Sequence, residues 1–274
     1  MGDPKGGPVY QGLRKLPDRA LFIFAGLVYL FLYAPIMVLI IFSFNSTKNT
    51  QVWTGFSTQW YGALIRDGSV LSAFKLSLTV GLTATAIATV IGTFTALALS
   101  RYQFRGKTVA DSAIYAATVM PEIVVGVSLL VFFVAATVPL GIVTIVIAHV
   151  AFCISFVTIV VRARLSGMDR SVEEAAQDLG ANPVQTFLRV TLPLILPGVM
   201  AGALLAFTLS FDDFVITFFV SGVGSSTLPL KIYSMIKFGV SPVINALSTV
   251  VMVSTMVLIL GGGRILARRQ ENAS

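Results

Sequence analysis

The chain has 274 residues, 56% of them hydrophobic and only 11% charged, with a net charge of +7 and a mean hydropathy of +0.89. A water-soluble fold of this length cannot hide so much apolar surface, so the composition excludes a soluble domain and predicts an all-α protein crossing the membrane several times. Basic loops beside membrane spans account for the positive charge without a nucleic-acid partner.

Residues 1–19 are polar, with Gly, Pro and basic side chains. Ala20 to Phe42 is free of charge and long enough to cross the hydrocarbon core at 1.5 Å per residue. It is too long for the apolar part of a leader and no small-residue cleavage site follows, so a retained first helix is expected, bent at Pro35. Asn45 to Phe74 is a polar loop with Trp53, Trp60 and Tyr61, and a short interfacial helix is expected near Trp60. The second span is expected from about Lys75 to Ser100. Its residues Ala84, Ala88, Gly92 and Ala96 form a ridge of small side chains for close approach, within the chain or to a second subunit.

A basic turn over 101–107 leads to the third span, about Val109 to Ala136, which carries Pro121-Glu122. The fourth covers about Ile142 to Val161 and contains the single histidine, His149, and the single cysteine, Cys153. Four residues apart, these two share a helical face, and an imidazole bonded to a neighbouring helix accounts for His149 without a ligand. A polar gap over 162–193 separates it from the fifth span, Leu194 to Val220. A loop over 221–241 with Thr227-Leu-Pro-Leu and Tyr233 precedes the sixth, Pro242 to Leu260, and a basic tail follows.

Six spans place both termini on one side. That side holds fourteen of the nineteen Lys and Arg residues, so the positive-inside rule assigns it to the cytoplasm, together with the gap over 162–193. Within the gap, Ser171 and Glu174 read as a capping box, Gly180 as the left-handed residue ending that helix, and Asn182-Pro183 as the start of another.

No phosphate-binding loop with a Gly-Lys-Ser/Thr end occurs, so the chain is not expected to hydrolyse ATP itself. One His and one Cys give no zinc site, and no metal or resident cofactor is expected. Glu122, Asp212 and Asp213, by contrast, lie within spans, where each charged carboxylate costs about 2.5–3.5 kcal/mol. On straight helices Glu122 would lie about 20 Å and Asp212 about 27 Å from the cytoplasmic ends. Phe207, Phe211, Phe214 and Phe218 would form one stripe, with Asp212 and Asp213 straddling the opposite face. That face suits a cationic substrate, with Tyr233 adding cation–π attraction if it reaches the same cavity. Ion pairing to another subunit or water-mediated structural bonding is the competing explanation.

The spacing Glu174-Ala175-Ala176, three residues, Gly180, nine residues, then Val190-x-Leu192-Pro193 resembles the EAA loop of ABC importer permeases, with Val190 where isoleucine is commoner. Tyr33-Ala-Pro-Ile, Phe42-Ser-Phe-Asn45-Ser, Trp60-Tyr61, Met120-Pro-Glu122, Ser210-Phe-Asp212-Asp213-Phe and Thr227-Leu-Pro-Leu are together similar to the second permease subunit of bacterial putrescine/spermidine importers. The resemblance implies a type I ABC importer permease architecture in the bacterial inner membrane. Residues 1–19 would be a cytoplasmic segment, 20–260 a six-helix permease domain containing the coupling loop over 162–193, and 261–274 a cytoplasmic tail. It further implies two ATPase subunits that hold the ATP and Mg, a second homologous permease subunit and a periplasmic polyamine-binding protein. Glu174, Ala175, Ala176 and Gly180 would touch an ATPase, and Glu122, Asp212, Asp213 and Tyr233 would line the substrate path. A permease for another cationic or small solute, or a proton- or cation-coupled secondary polyamine transporter, is the alternative.

Overall fold

The computed structural model describes residues 18–48, 52–237, 239 and 241–271. The expectations for the polar segment over 1–19 and for the tail beyond 261 fall on side chains outside the described residues. The elements are α1 (Asp18–Phe42), α2 (Gln59–Arg66), α3 (Gly68–Arg101), α4 (Lys107–Val119), α5 (Glu122–Ala135), α6 (Ile142–Ser166), α7 (Ser171–Asp178), α8 (Pro183–Asp212), α9 (Val215–Val220), α10 (Leu228–Lys237) and α11 (Pro242–Glu271). Among the described residues, four helices are long and apolar enough to cross a membrane, namely α3, α6, α8 and the Ala20–Phe42 part of α1. α4 and α5 pass the same test only together. The apolar stretch of α11, Pro242–Val257, is shorter.

Among the described residues, those up to Leu64 and those over 241–249 belong to one compact unit, and the others to a second. In the first, the apolar window of α1 has none of its residues buried, which requires lipid or another chain around it. The loop after α1 is organised by Asn45, a buried side chain. Its Oδ1 accepts the N–H and the hydroxyl of Thr54, both at 2.9 Å, while its Nδ2 donates to the Val52 carbonyl. Trp60 Nε1 donates to the Asn45 carbonyl and Tyr61 bonds to Ser43 at 2.7 Å, so the expected helix near Trp60 forms and is tied back onto the loop.

The core of the second unit is the packing of α3, α6 and α8 on one another. The small-residue ridge is buried, and it packs inside the chain. A Cβ on Gly92 would lie 2.8 Å from Val157, so only glycine lets α3 and α6 approach this closely, and Thr158 bonds to the Gly92 carbonyl across the gap. α3 starts seven residues before the expected Lys75, because Asp67 caps it by accepting the N–H groups of Ser69 and Val70.

The remaining departures from straight spans have local causes. α4 and α5 meet at an angle of 112° across Met120-Pro121, since Pro121 lacks an N–H and its predecessor is pushed to extended backbone. That turn removes the straight-helix depth expected for Glu122. The expected fifth span is two helices, broken at Asp213, whose backbone is extended. The loop over 221–241 contains α10, anchored by the Leu228 N–H donating to Ser77 of α3 at 2.8 Å.

Candidate functional site

The polar segment between α6 and α8 follows local rules almost throughout. α7 ends as the sequence predicts: Gly180 has φ +89°, its N–H donates to the Gln177 carbonyl, and the Ala181 N–H donates to the Ala176 carbonyl. This is a Schellman ending, in which a left-handed glycine satisfies carbonyls that the helix leaves open. Asn182 and Gln185 cap the start of α8 reciprocally, at 2.9 and 3.1 Å, with Pro183 in the first position. The beginning of α7 differs. Asp169, not Ser171, accepts the first free N–H, that of Ser171 at 3.0 Å, and this bond holds the Asp169 carboxyl below the usual carboxylate range. A carboxylate two residues earlier does better than the hydroxyl because it is also stabilised by the helix dipole.

Glu173, rather than Glu174, fastens α7. One of its oxygens accepts from Thr191 of α8 at 2.7 Å, and the other lies 3.0 Å from Arg101 Nε at the end of α3, with both side chains about 15% exposed. Arg170 adds a bond to the Arg101 carbonyl. Glu174 and Ala175 are exposed and Ala176 is half-buried. Val172, Ala175 and Leu179 form an apolar stripe on the outer face of α7, with Leu179 90% exposed. The stripe is legible as spacing, once the EAA residues are no longer the only ones considered. A cavity of about 890 Å³ lies behind the segment, between Phe94 and Arg101 of α3 and Phe187 and Thr191 of α8. Phe187–Thr191 is a π-helical turn in which the Leu192 N–H reaches back to Phe187. The wide turn makes room for Pro193, whose ring would otherwise strike the Arg189 carbonyl.

The intramembrane acids separate into two kinds. Asp213 is inside the bundle, its side chain 5% exposed. It accepts the N–H of Ile216 at 3.2 Å, the N–H and hydroxyl of Thr217 at 2.8 Å each, and faces His149 Nε2 at 3.2 Å. It therefore caps α9. His149 of α6, itself 2% exposed, also bonds through Nδ1 to Ser210 of α8 at 2.7 Å and through Nε2 to Thr217 at 3.0 Å. Thr217 gives its only hydroxyl proton to Asp213, which leaves its oxygen to accept from Nε2–H. The imidazole bonded to neighbouring helices is thus observed, and it joins α6, α8 and α9 at one point.

Glu122 and Asp212 are exposed, and neither has a hydrogen-bond or ion-pair partner among the described residues. Glu122 stands in the first turn of α5, which packs on α9. Asp212, at the end of α8, lines a cavity of about 270 Å³ with Phe211, Phe214, Leu228, Ile232 and Tyr233 among its walls. The expected phenyl stripe is divided by the break. Phe207 stacks with Phe211, whereas Phe214 and Phe218 turn to Tyr233, with ring centroids 4.6 Å and 6.2 Å away. Asp212 and Asp213 have different surroundings: one lines the cavity and the other faces His149 inside the bundle. Among the described residues, no three His, Cys, Asp or Glu side chains come together as a metal site would need.

An all-helical bundle with several membrane-length apolar helices, a capped polar segment between two of them and unpaired carboxylates at helix breaks is the build of a membrane transport subunit. The chain belongs to the family of binding-protein-dependent transport system inner membrane components, which matches residues 88–271. It is 46% identical over 243 residues to the putrescine transport system permease protein PotI of Escherichia coli (strain K12), covering 86% of each chain. It is 43% identical over 241 residues to the spermidine/putrescine transport system permease protein PotC of the same strain, covering 88% of this chain and 91% of the relative. Among solved structures, a chain of a bacterial ABC transporter that imports the acidic polysaccharide alginate shares the fold at a TM-score of 0.72 and 16% identity, with 96% of this chain and 99% of that one covered. The MetNI methionine ABC transporter also shares it, at a TM-score of 0.61 and 18% identity, over 78% of this chain and 99% of that one.

Proposed function

We propose that the chain is one of two permease subunits in an ATP-driven importer of putrescine or spermidine in the bacterial inner membrane. The observation that carries this reading is the identity of 46% and 43%, over most of each chain, to permeases named for those two substrates. The substrate chemistry agrees with it. An unpaired carboxylate, Asp212, with aromatic walls and an aliphatic lining, suits a primary ammonium on a methylene chain. Glu122 supplies a second unpaired carboxylate, and Tyr233 a ring face.

In this reading the chain has six spans in the type I importer arrangement, with both termini and α7 in the cytoplasm. A second, homologous permease completes the pathway, a periplasmic polyamine-binding protein delivers the cargo, and two ATPase subunits bind ATP and Mg. The chain itself holds no cofactor and hydrolyses nothing. Glu174, Ala175, Ala176 and Gly180, together with the exposed Val172 and Leu179, dock α7 on an ATPase subunit. Closure of the ATPase pair then pushes α7, and the Arg101–Glu173 pair and the Thr191 bond pass the movement to α3 and α8. The experiment is co-expression with its ATPase and second permease, followed by purification and ATP-hydrolysis assays with the loaded binding protein. The reading expects an intact complex whose hydrolysis is stimulated by the putrescine- or spermidine-loaded binding protein. A chain that purifies alone and transports without an ATPase would overturn it.

A further inference from the structure

We infer that His149 is a positioning residue for the cargo cation: by holding Asp213 and Thr217 it fixes the break between α8 and α9 that leaves Asp212 as the carboxylate facing the cavity. The inference rests on the proposed transport of a cationic substrate and adds which of the two adjacent acids meets it, and what decides this.

Two neighbouring residues of an unbroken helix lie about 100° apart and would look towards one side together. Here the helix runs through Asp212 and turns away after Asp213, whose ψ is 125°, so Phe214 and α9 leave the line of α8 and no further helical turn covers the two carboxylates. Four donors surround Asp213, two backbone N–H groups, the Thr217 hydroxyl and His149 Nε2, and they come from two separate helices. A carboxylate bonded in this way has its charge spent within the protein, and drawing it out towards a substrate would strand the Ile216 and Thr217 N–H groups and the Thr217 hydroxyl, and leave Nε2–H to Thr217 alone. Asp212 has no donor among the described residues and stands among Phe211, Phe214 and Tyr233. Asp212 is therefore the one carboxylate among the described residues that line this cavity.

His149 decides the arrangement because it is the fixed member. It projects from α6, whose neighbours Ile145, Ala148, Phe152 and Cys153 are buried in the core, so its ring cannot follow a shifting α9. Its Nδ1 bond to Ser210 holds the last turn of α8, and its Nε2 holds the first turn of α9. The two ends of the break are thus referred to one imidazole. Without it, Asp213 is left a buried carboxylate lacking a side-chain donor from α6, and turning outward towards water becomes the better solution. That would pull on Asp212 and displace it from the Tyr233 side of the cavity.

The test is uptake of radiolabelled putrescine and spermidine by the complete transporter in vesicles, with KM and maximal rate measured separately and complex recovery checked for each variant. Asp212→Asn is expected to raise KM about tenfold or more, as removal of a charge-assisted bond does. Asp213→Asn keeps an oxygen able to cap α9 and is expected to leave KM within about threefold. His149→Phe is expected to raise KM by a factor between those two. Combining it with Asp213→Asn should bring KM back towards the wild-type value, since no buried charge is then stranded. A purely structural histidine would reduce recovery and maximal rate and leave KM alone, and that result overturns the inference. So does a KM for Asp213→Asn as high as for Asp212→Asn, a comparison that does not depend on the histidine variant folding. If instead neither polyamine is taken up by the wild-type complex, the proposed function itself has failed.

Discussion

The polar segment around α7 and the helix break at Asp213 both depend on capped helix ends, yet their caps draw on different kinds of contact. In the segment around α7, almost every cap is made by a residue within five positions: Gly180 with Gln177, Ala181 with Ala176, Asn182 with Gln185. At the break, the decisive partner of Asp213 is His149, and His149 reaches Ser210 and Thr217 across 61 and 68 residues. Asp213 also has local bonds to Ile216 and Thr217, but its fourth contact ties the break to α6, whereas the caps around α7 need no other helix.

Several measurements would break or sharpen this contrast. The largest effect is expected on the exposed face of α7. On the proposed docking of α7, Ala175→Arg or Leu179→Arg, which puts a charge on its exposed apolar stripe, should abolish recovery of the ATPase with the permease and reduce uptake to background, with the chain still present in the membrane. Retained association would show that another surface couples the two. Next comes the fastening of α7. Glu173→Ala removes the partner of a mostly buried Arg101 and of Thr191, a loss of about 2 kcal/mol, and backbone hydrogen exchange over Ser171–Asp178 should quicken roughly thirtyfold. Unchanged exchange would mean that the local caps alone hold the segment.

Gly92→Val should lower the melting temperature of the purified complex by forcing α3 from α6, at about 1–3 kcal/mol, and it should not alter KM selectively. The smallest effect belongs to Asp67 at the start of α3. Ser69 donates to it through its hydroxyl and its N–H, which holds the Asp67 carboxyl below its usual value. A carboxylate depressed by folding stabilises the native state above its unfolded pKa, near 3.8, and that contribution disappears as pH falls through the lower folded value. Asp67→Ala should therefore cost below about 1 kcal/mol at neutral pH and make no difference in strong acid, by thermal melting at both pH values.

The same contrast explains what could be read from the amino-acid sequence. Apolar runs and charge asymmetry are summed over many residues, so the multi-helical membrane build was legible. The Gly180 ending and the Asn182-Pro183 start were legible because the groups they satisfy are close in sequence. Glu173 escaped attention beside the EAA residues, because its partners Arg101 and Thr191 come together only in the folded chain. The bend of 112° at Pro121 interrupts what reads in the sequence as one continuous span from Val109 to Ala136. Asp212 and Asp213 stand out in the sequence as acids in an apolar run, about 100° apart on one helix. That Asp213 faces His149 while Asp212 lines a cavity is not legible there, because the histidine belongs to another helix.

The central claim is that this chain carries polyamine under the drive of an ATPase that grips α7. It is tested most directly by uptake of labelled putrescine and spermidine into proteoliposomes holding both permeases and the ATPase, with ATP and the loaded binding protein supplied. The account predicts accumulation of at least one polyamine that requires ATP and is lost with Leu179→Arg. Accumulation that proceeds without ATP, or is unaffected by that substitution, would contradict it.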